Sequence, residues 1–267
     1  MTTRHRLSRF GKTLAPCLTF LAAWSALLPA TATAATVSGG ALIMNLNRDA
    51  LAAAVSLDAT DAPSIYLEEF FDAQAAAVRN NAQILEDHIV PGVGEIPATG
   101  LEFAVNGATV DVPVGRRTKP TTLTFDPGDF AGSVTGAIGL GGVSRFRIDT
   151  GSPSNRIVSG DYTLEFDAAN IDADTGQSGW TLYNHYSFRS ESFNLFNVAM
   201  GLDPNSFTLS GELGVGPGWE HFGGTVGAIV GDFSFQTTVV PVPAAVWLFV
   251  SGLAGFGLFG RSGSYRA

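Results

Sequence analysis

Only one cysteine, Cys17, occurs in 267 residues, and it lies in a segment read below as a removable export signal. A mature chain without thiols has neither disulfide staples nor thiolate metal sites, so an ordinary apolar core must hold it. Positive charge is scarce as well: 15 Lys and Arg stand against 24 Asp and Glu. Six of those cations, Arg4, Arg6, Arg9, Lys12, Arg261 and Arg266, sit in the terminal segments, whereas every acidic residue lies between them. Residues 35–238 therefore hold nine cations, Lys119 the single lysine among them, and a formal charge near −15. Such a surface repels nucleic acid and anionic lipid, which argues against nucleic-acid partners. Histidine is rare too. His88, His185 and His221 are the three beyond the export segment, none at zinc-ligand spacing, and Glu220-His221 lacks a second histidine four residues away. The closest approach to a Gly-x-Ser-x-Gly elbow, Gly142-Val143-Ser144-Arg145-Phe146, lacks the second glycine and reads as the start of a strand. No catalytic residue is assigned.

What the sequence does contain is clearest at its two ends. A basic start (Arg4 to Lys12), an apolar stretch from Leu14 to Leu28 and a small-residue finish, Ala32-Thr33-Ala34, predict a signal peptide over residues 1–34, with the mature chain starting near Ala35. A permanent amino-terminal anchor is the alternative, but the apolar stretch is short for a span. Pro16 in front of Cys17, and the apolar residues behind it, argue against a lipoprotein acylation site.

At the other end, Val240-Pro241-Val242-Pro243 precedes an uncharged apolar run from Ala244 to Phe259, then Gly260 and a tail with Arg261 and Arg266. Sixteen residues suffice for a span if Val239 to Pro243 contribute. Basic residues beyond a span stay cytoplasmic. The expected topology is a domain outside, anchored transiently in the inner membrane through residues 244–260. Val240, Pro241, Pro243, Ala244, Ala245, Trp247, Leu248 and Phe249 form a Val-Pro-x-Pro-Ala-Ala-x-Trp-Leu-Phe pattern. This tail, residues 239–267, resembles the PEP-CTERM sorting signal, with Val242 where the common version has glutamate. The resemblance implies processing by an exosortase as well as signal peptidase. It also implies delivery to the cell surface or extracellular matrix of bacteria that make exopolysaccharide, in company with biofilm. An anchor that is never cut is the plain alternative.

Residues 35–238 form the exported domain, and the chain's 32 glycines and 19 phenylalanines point to a β-rich, turn-rich fold. Leu67, Phe71, Ala75, Val78, Ala82, Leu85 and Ile89 recur at helical spacing between Asp61-Ala62-Pro63 and Pro91, which predicts one long amphipathic helix over 64–89. Beyond Pro91 the period becomes two. Leu101–Val105 and Ala108–Val112 flank Asn106-Gly107, the dipeptide of a tight hairpin. Further strands are expected at Thr121–Phe125, Ser144–Asp149, Asp161–Ala168, Trp180–Phe188, Ser206–Val215 and Asp232–Val239. The fold class is mainly β: an antiparallel sandwich or barrel-like domain with one helix near its start, followed by a transmembrane sorting helix.

Three constellations are candidates for chemistry or binding. Asn170, Asp172 and Asp174 place oxygens at alternate positions before Gly176, which suits weak calcium binding or a simple polar turn. Glu165 and Asp167 share a strand face, as a glycosidase pair or as partners of Arg145 and Arg147 across a wet face. Trp180, Tyr183, Asn184, His185 and Tyr186 offer groups for a sugar, although alternation splits them between two faces. The expected function is a non-catalytic surface or matrix protein. A secreted polysaccharide hydrolase and a calcium-assisted sugar-binding module are the alternatives.

Overall fold

The computed structural model describes residues 34–55, 65–88, 94–148 and 156–241. The strands in its first half are β1 (Ala35–Leu46), β2 (Tyr66–Phe71), β3 (Leu101–Val105), β4 (Thr124–Phe125), β5 (Ile138–Gly141) and β6 (Val143–Arg147). Those in the second half are β7 (Arg156–Gly160), β8 (Thr163–Asp172), β9 (Gln177–Asn184), β10 (Ser190–Asp203), β11 (Ser206–Val215) and β12 (Ile229–Pro241). Eight of them, in the order β12-β11-β10-β9-β8-β5-β3-β1, form an antiparallel sheet. Its ring is closed by β1 and β12, which pair from Ala35↔Pro241 to Leu46↔Gly231. A bulge at Gly39 and Gly40 interrupts that ladder, and β4 fills the other edge of β1 at its start.

Alternation along the strands fills this barrel. In β12, Val230, Phe233, Phe235, Thr237 and Val239 are buried, while Asp232, Ser234, Gln236 and Thr238 face outward. Eight strands leave an interior that side chains alone can fill. At the pole where β1 begins, Phe130 of a short helix, Phe130–Ser133, packs its ring 5.0 Å from Phe125, 5.9 Å from Trp180 and 5.5 Å from Phe207. Burial of each such side chain stabilises the fold by roughly 1.5–3 kcal/mol. The opposite pole is closed by α1 (Arg48–Ala54) through Leu51 and Ala54, and by Trp219 of a 3₁₀ turn, Pro217–Phe222, against Phe146 and Phe193.

The second sheet, β2-β6-β7, grows out of the barrel wall. β5 runs into β6, and β7 into β8, through Gly142 (φ 133°) and Asp161 (φ 47°), residues in the left-handed half of conformational space. Arg116 stabilises this bend: its Nε lies 2.9 Å from Asp161 Oδ2, and its Nη2 donates to Oδ1. Both side chains are almost fully buried. One face of the sheet packs on the barrel through Leu67, Phe146 and Ile157, and Phe71 and Val143 pack with Ala76 of α2 (Ala73–Ala77) and Ile84 of α3 (Asn81–Glu86).

The barrel-like class holds, and two expected elements are replaced. Where one helix over 64–89 was expected, the described residues 65–88 hold a strand and two short helices. Tyr66, Phe70 and Phe71 favour a strand. Asp72 and Asn80 then each start a new helix: Asp72 Oδ1 accepts from Ala75 N–H at 2.7 Å, and Asn80 forms a capping box with Gln83. Val78, which the single helix would have buried, is 77% exposed. The Asn106-Gly107 hairpin is absent. Neither residue has positive φ, and Asn106 N–H donates to Gly139 O while Gly107 O accepts from Thr121 N–H. Distant partners took the edge that the hairpin needed. Among the described residues no helix is long and apolar enough to cross a membrane. The expected sorting helix, 244–260, and the signal peptide up to residue 33 lie outside the described residues.

Candidate functional site

A bulge in β2 produces the densest charge cluster. Leu67 pairs with Phe146, but the next pair is Glu69 with Arg145, so Glu68 is an extra residue and both glutamates turn toward α3. Each is 3% exposed. A buried carboxylate needs charged donors, and Glu68 has them. Its Oε2 accepts from Arg145 Nε at 3.1 Å and Arg156 Nε at 2.7 Å, and its Oε1 accepts from Arg156 Nη2 at 2.8 Å and Arg147 Nη2 at 3.3 Å. His88 lies 3.7 Å from both Glu68 and Glu69. Burial opposes charge on Glu68, but the bond from Arg156 and the charge of Arg145 outweigh it and hold the carboxyl below the usual glutamate range. Arg145 Nη1 also donates to the carbonyls of Ile84 and Asp87, and Arg156 Nη1 to that of Leu85. The arginines thus satisfy the open end of α3. With both oxygens of Glu68 doubly occupied, the cluster is a brace between sheet and helix.

Beside β7 lies a cleft of about 270 Å³, walled by Asn81 and Leu85 of α3, by Trp219 and Phe222, and by the β9–β10 turn with Phe188. Among the described residues that line it, Arg156 is the one that carries a charge. Ser159 Oγ and Ser192 Oγ are 2.9 Å apart, and Tyr162 OH donates to Ser159 at 2.9 Å. Burial pushes the Tyr162 hydroxyl far above its ordinary value, so it does not serve as a base for either serine. The cleft can hold a molecule, and among the described residues that line it no carboxylate or imidazole faces one.

Of the residues singled out in the sequence, His88, Arg145 and Arg147 join the Glu68 cluster and Asn184 and Tyr186 line the cleft, while the others fall elsewhere. Glu165 accepts from Thr163 Oγ1 at 2.6 Å and from Arg189 Nη2 at 2.9 Å, and His185 Nε2 lies 2.9 Å from Thr163 Oγ1. Burial raises the Glu165 carboxyl, but bonds from His185, Thr163 and Arg189 prevail and bring it to about 2. An acid so strong is a poor proton donor at neutral pH. Asp167 is exposed and accepts from Ala169 N–H. Arg145, expected on a wet face opposite these two, is fully buried on Glu68, and Arg189 is the partner of Glu165. Asp161 and Thr163, which precede Glu165 and Asp167 in the expected strand, are buried.

Trp180 is core, ringed by Phe130, Phe166 and Phe207. Tyr183 lies under the Arg189 guanidinium at 3.5 Å, and Tyr186 is buried with its OH on Asn81 O. Asn184, His185 and Tyr186 brace the start of β8 and the end of β7 and form no common platform. Asn170, Asp172 and Asp174 lie at the β8–β9 turn, where Asp172 Oδ1 accepts from Asp174 N–H at 2.9 Å. Among the described residues no group of three or more His, Cys, Asp or Glu is arranged to hold a metal. Ser144 is buried in β6, and the His221 ring packs on Phe222.

Of the sorting pattern, Val240 and Pro241 end β12, exposed; Pro243, Ala244, Ala245, Trp247, Leu248 and Phe249 lie outside the described residues. The Glu68 cluster was missed in the sequence. Its signal was there: two adjacent glutamates inside an aromatic strand, with Arg145 and Arg147 alternating in another. Comparison with protein-family models, with curated proteins and with solved structures finds no match to this chain.

Proposed function

We propose that the chain is an exported, non-catalytic protein of the bacterial cell surface or extracellular matrix, processed by signal peptidase and an exosortase and associated with exopolysaccharide. The observation that carries this reading is the register of the closing strands: Ala35 pairs with Pro241. Ala35 follows the Ala32-Thr33-Ala34 pattern, and Pro241 opens the Pro-Val-Pro-Ala-Ala stretch. The first and last residues of the closing strands thus lie side by side at one pole of the barrel. The 12-residue β1 carries the fold roughly 40 Å away from that pole, to the end where α1, the second sheet and the cleft are found.

The lining of the cleft and the low pKa of Glu165 favour binding over hydrolysis. Fractionation of a host with a working exosortase tests the reading. The parent chain is expected at the surface or in the medium, and a chain lacking residues 241–267 in the periplasm; identical distributions would refute it. A polysaccharide panel with Glu165→Gln as control separates the enzyme alternative, since turnover lost in that variant would establish a hydrolase. Weak calcium binding at Asn170, Asp172 and Asp174 is a separate proposal, with a dissociation constant on the order of 0.1–1 mM. Calorimetric titration against Asp172→Ala/Asp174→Ala decides it, and equal heats leave only the turn.

A further inference from the structure

We propose that the cleft beside β7 receives an extended peptide from another protein, which adds to the β2-β6-β7 sheet as a fourth strand. The case begins with the direction of backbone groups. β7 is an outer strand of its sheet, paired to β6 from Val143↔Gly160 to Arg147↔Arg156. Asp161 N–H donates toward β6, to Gly142 O at 2.9 Å. Gly160 turns the other way: its N–H meets Asn184 Oδ1 at 3.0 Å, and its carbonyl accepts from His185 N–H at 3.1 Å. Residues of an antiparallel strand alternate between its two edges. Val158 and Arg156 therefore present their N–H and C=O on the same edge as Gly160, along the cleft that both residues line. Among the described residues no backbone group pairs with that edge beyond Gly160.

The chain itself occupies the first rung through Asn184 and His185, then turns away through Ser187 to β10, so the next rungs stay open. An open edge of this kind is the site at which a peptide joins a sheet by main-chain hydrogen bonds, with side-chain pockets giving selectivity. Leu85 on one wall and Trp219 and Phe222 on the other supply apolar contact, and Phe188 stands 57% exposed at the turn. Asn81 adds an unused acceptor on the α3 wall, since its Oδ1 has no hydrogen-bond partner among the described residues. The charge of Arg156 is already taken by Glu68, so the cleft asks for no acidic group. The partner is thus an uncharged, extended segment with β-branched apolar side chains at alternate positions. Residues of α3 and of the 3₁₀ turn line the cleft along the β7 edge, a setting that suits a single extended segment rather than the edge of another sheet.

The test uses the full-length chain in mild detergent and an acetylated, amidated heptapeptide of alternating valine and threonine, titrated by calorimetry. Saturable binding is expected, weakened about tenfold when alternate peptide nitrogens are methylated, which removes hydrogen bonds and keeps side chains. Val158→Pro should weaken it by a similar factor with an unchanged circular dichroism spectrum, because the Val158 N–H takes no part in the β6 ladder and proline is tolerated on an edge. Amide exchange at Arg156 and Val158 should slow in the parent on adding peptide, a readout independent of any variant. Absence of saturable binding, equal binding of the methylated peptide, or unchanged exchange overturns the proposal. So does maltopentaose binding that competes with the peptide and survives Val158→Pro, which would make the cleft a sugar site.

Discussion

Two adjacent glutamates buried in one strand are tolerated here because three arginines converge on the first of them. Removing one side of such a network leaves an uncompensated buried charge, which costs about 3–5 kcal/mol. Glu68→Gln and Arg145→Met should each lower the unfolding free energy by that order in urea titrations; a loss below about 1 kcal/mol would mean that the brace contributes little. Glu165 gives a pH dependence of known sign. Its folded pKa, about 2, lies below the ordinary 4.5, so its stabilisation is complete above pH 4.5 and is lost as the pH falls toward 2. The gap in unfolding free energy between the parent and Glu165→Gln should therefore shrink from pH 6 to pH 3. A gap that stays constant contradicts the bonding described. Of these residues, Glu165 was visible in the sequence as a polar position in a strand. The Glu68 brace showed only as its residue types, two adjacent glutamates and alternating arginines, because the bulge that turns them onto one face leaves no mark in composition.

At the scale of elements, alternation was the reliable signal and helical spacing the misleading one. Ser206–Val215 was expected as a strand and found with those bounds, and Asp232–Val239 lies inside β12. In 64–89, three- and four-residue spacing matched a helix by count, yet Asp72 and Asn80 are capping residues within the run and mark where it breaks. Asn106-Gly107 had the composition of a tight turn, but pairing with Gly139 and Thr121 decided its shape. β1 escaped notice because Gly39 and Gly40 interrupt its pattern. They are also what lets it close the barrel: Gly40 has φ 93°, and a Cβ there would run into the backbone carbonyl of Gln236. Gly40→Ala should thus destabilise the fold by about 1–3 kcal/mol, read as a lower melting temperature. An unchanged melting temperature would show that the β1–β12 bulge relaxes freely.

For the molecule as a whole, the barrel places the start of β1 and the end of β12 together and the cleft at the other pole. The sequence predicts a processing signal at each end, and no alternation or spacing could have told that Ala35 and Pro241, 206 residues apart in the chain, are paired neighbours. That neighbourhood makes the sorting proposal physically specific. The tail begins at the barrel rim with Pro241 in the last rung, so a cut after the proline pair would release an intact barrel. Mass spectrometry of both termini, on protein recovered from the surface or medium of a host shown to have a working exosortase, tests this most directly. The account predicts a chain that starts near Ala35 and ends close to Pro243; recovery of a chain that runs unbroken through Ala267 would contradict it.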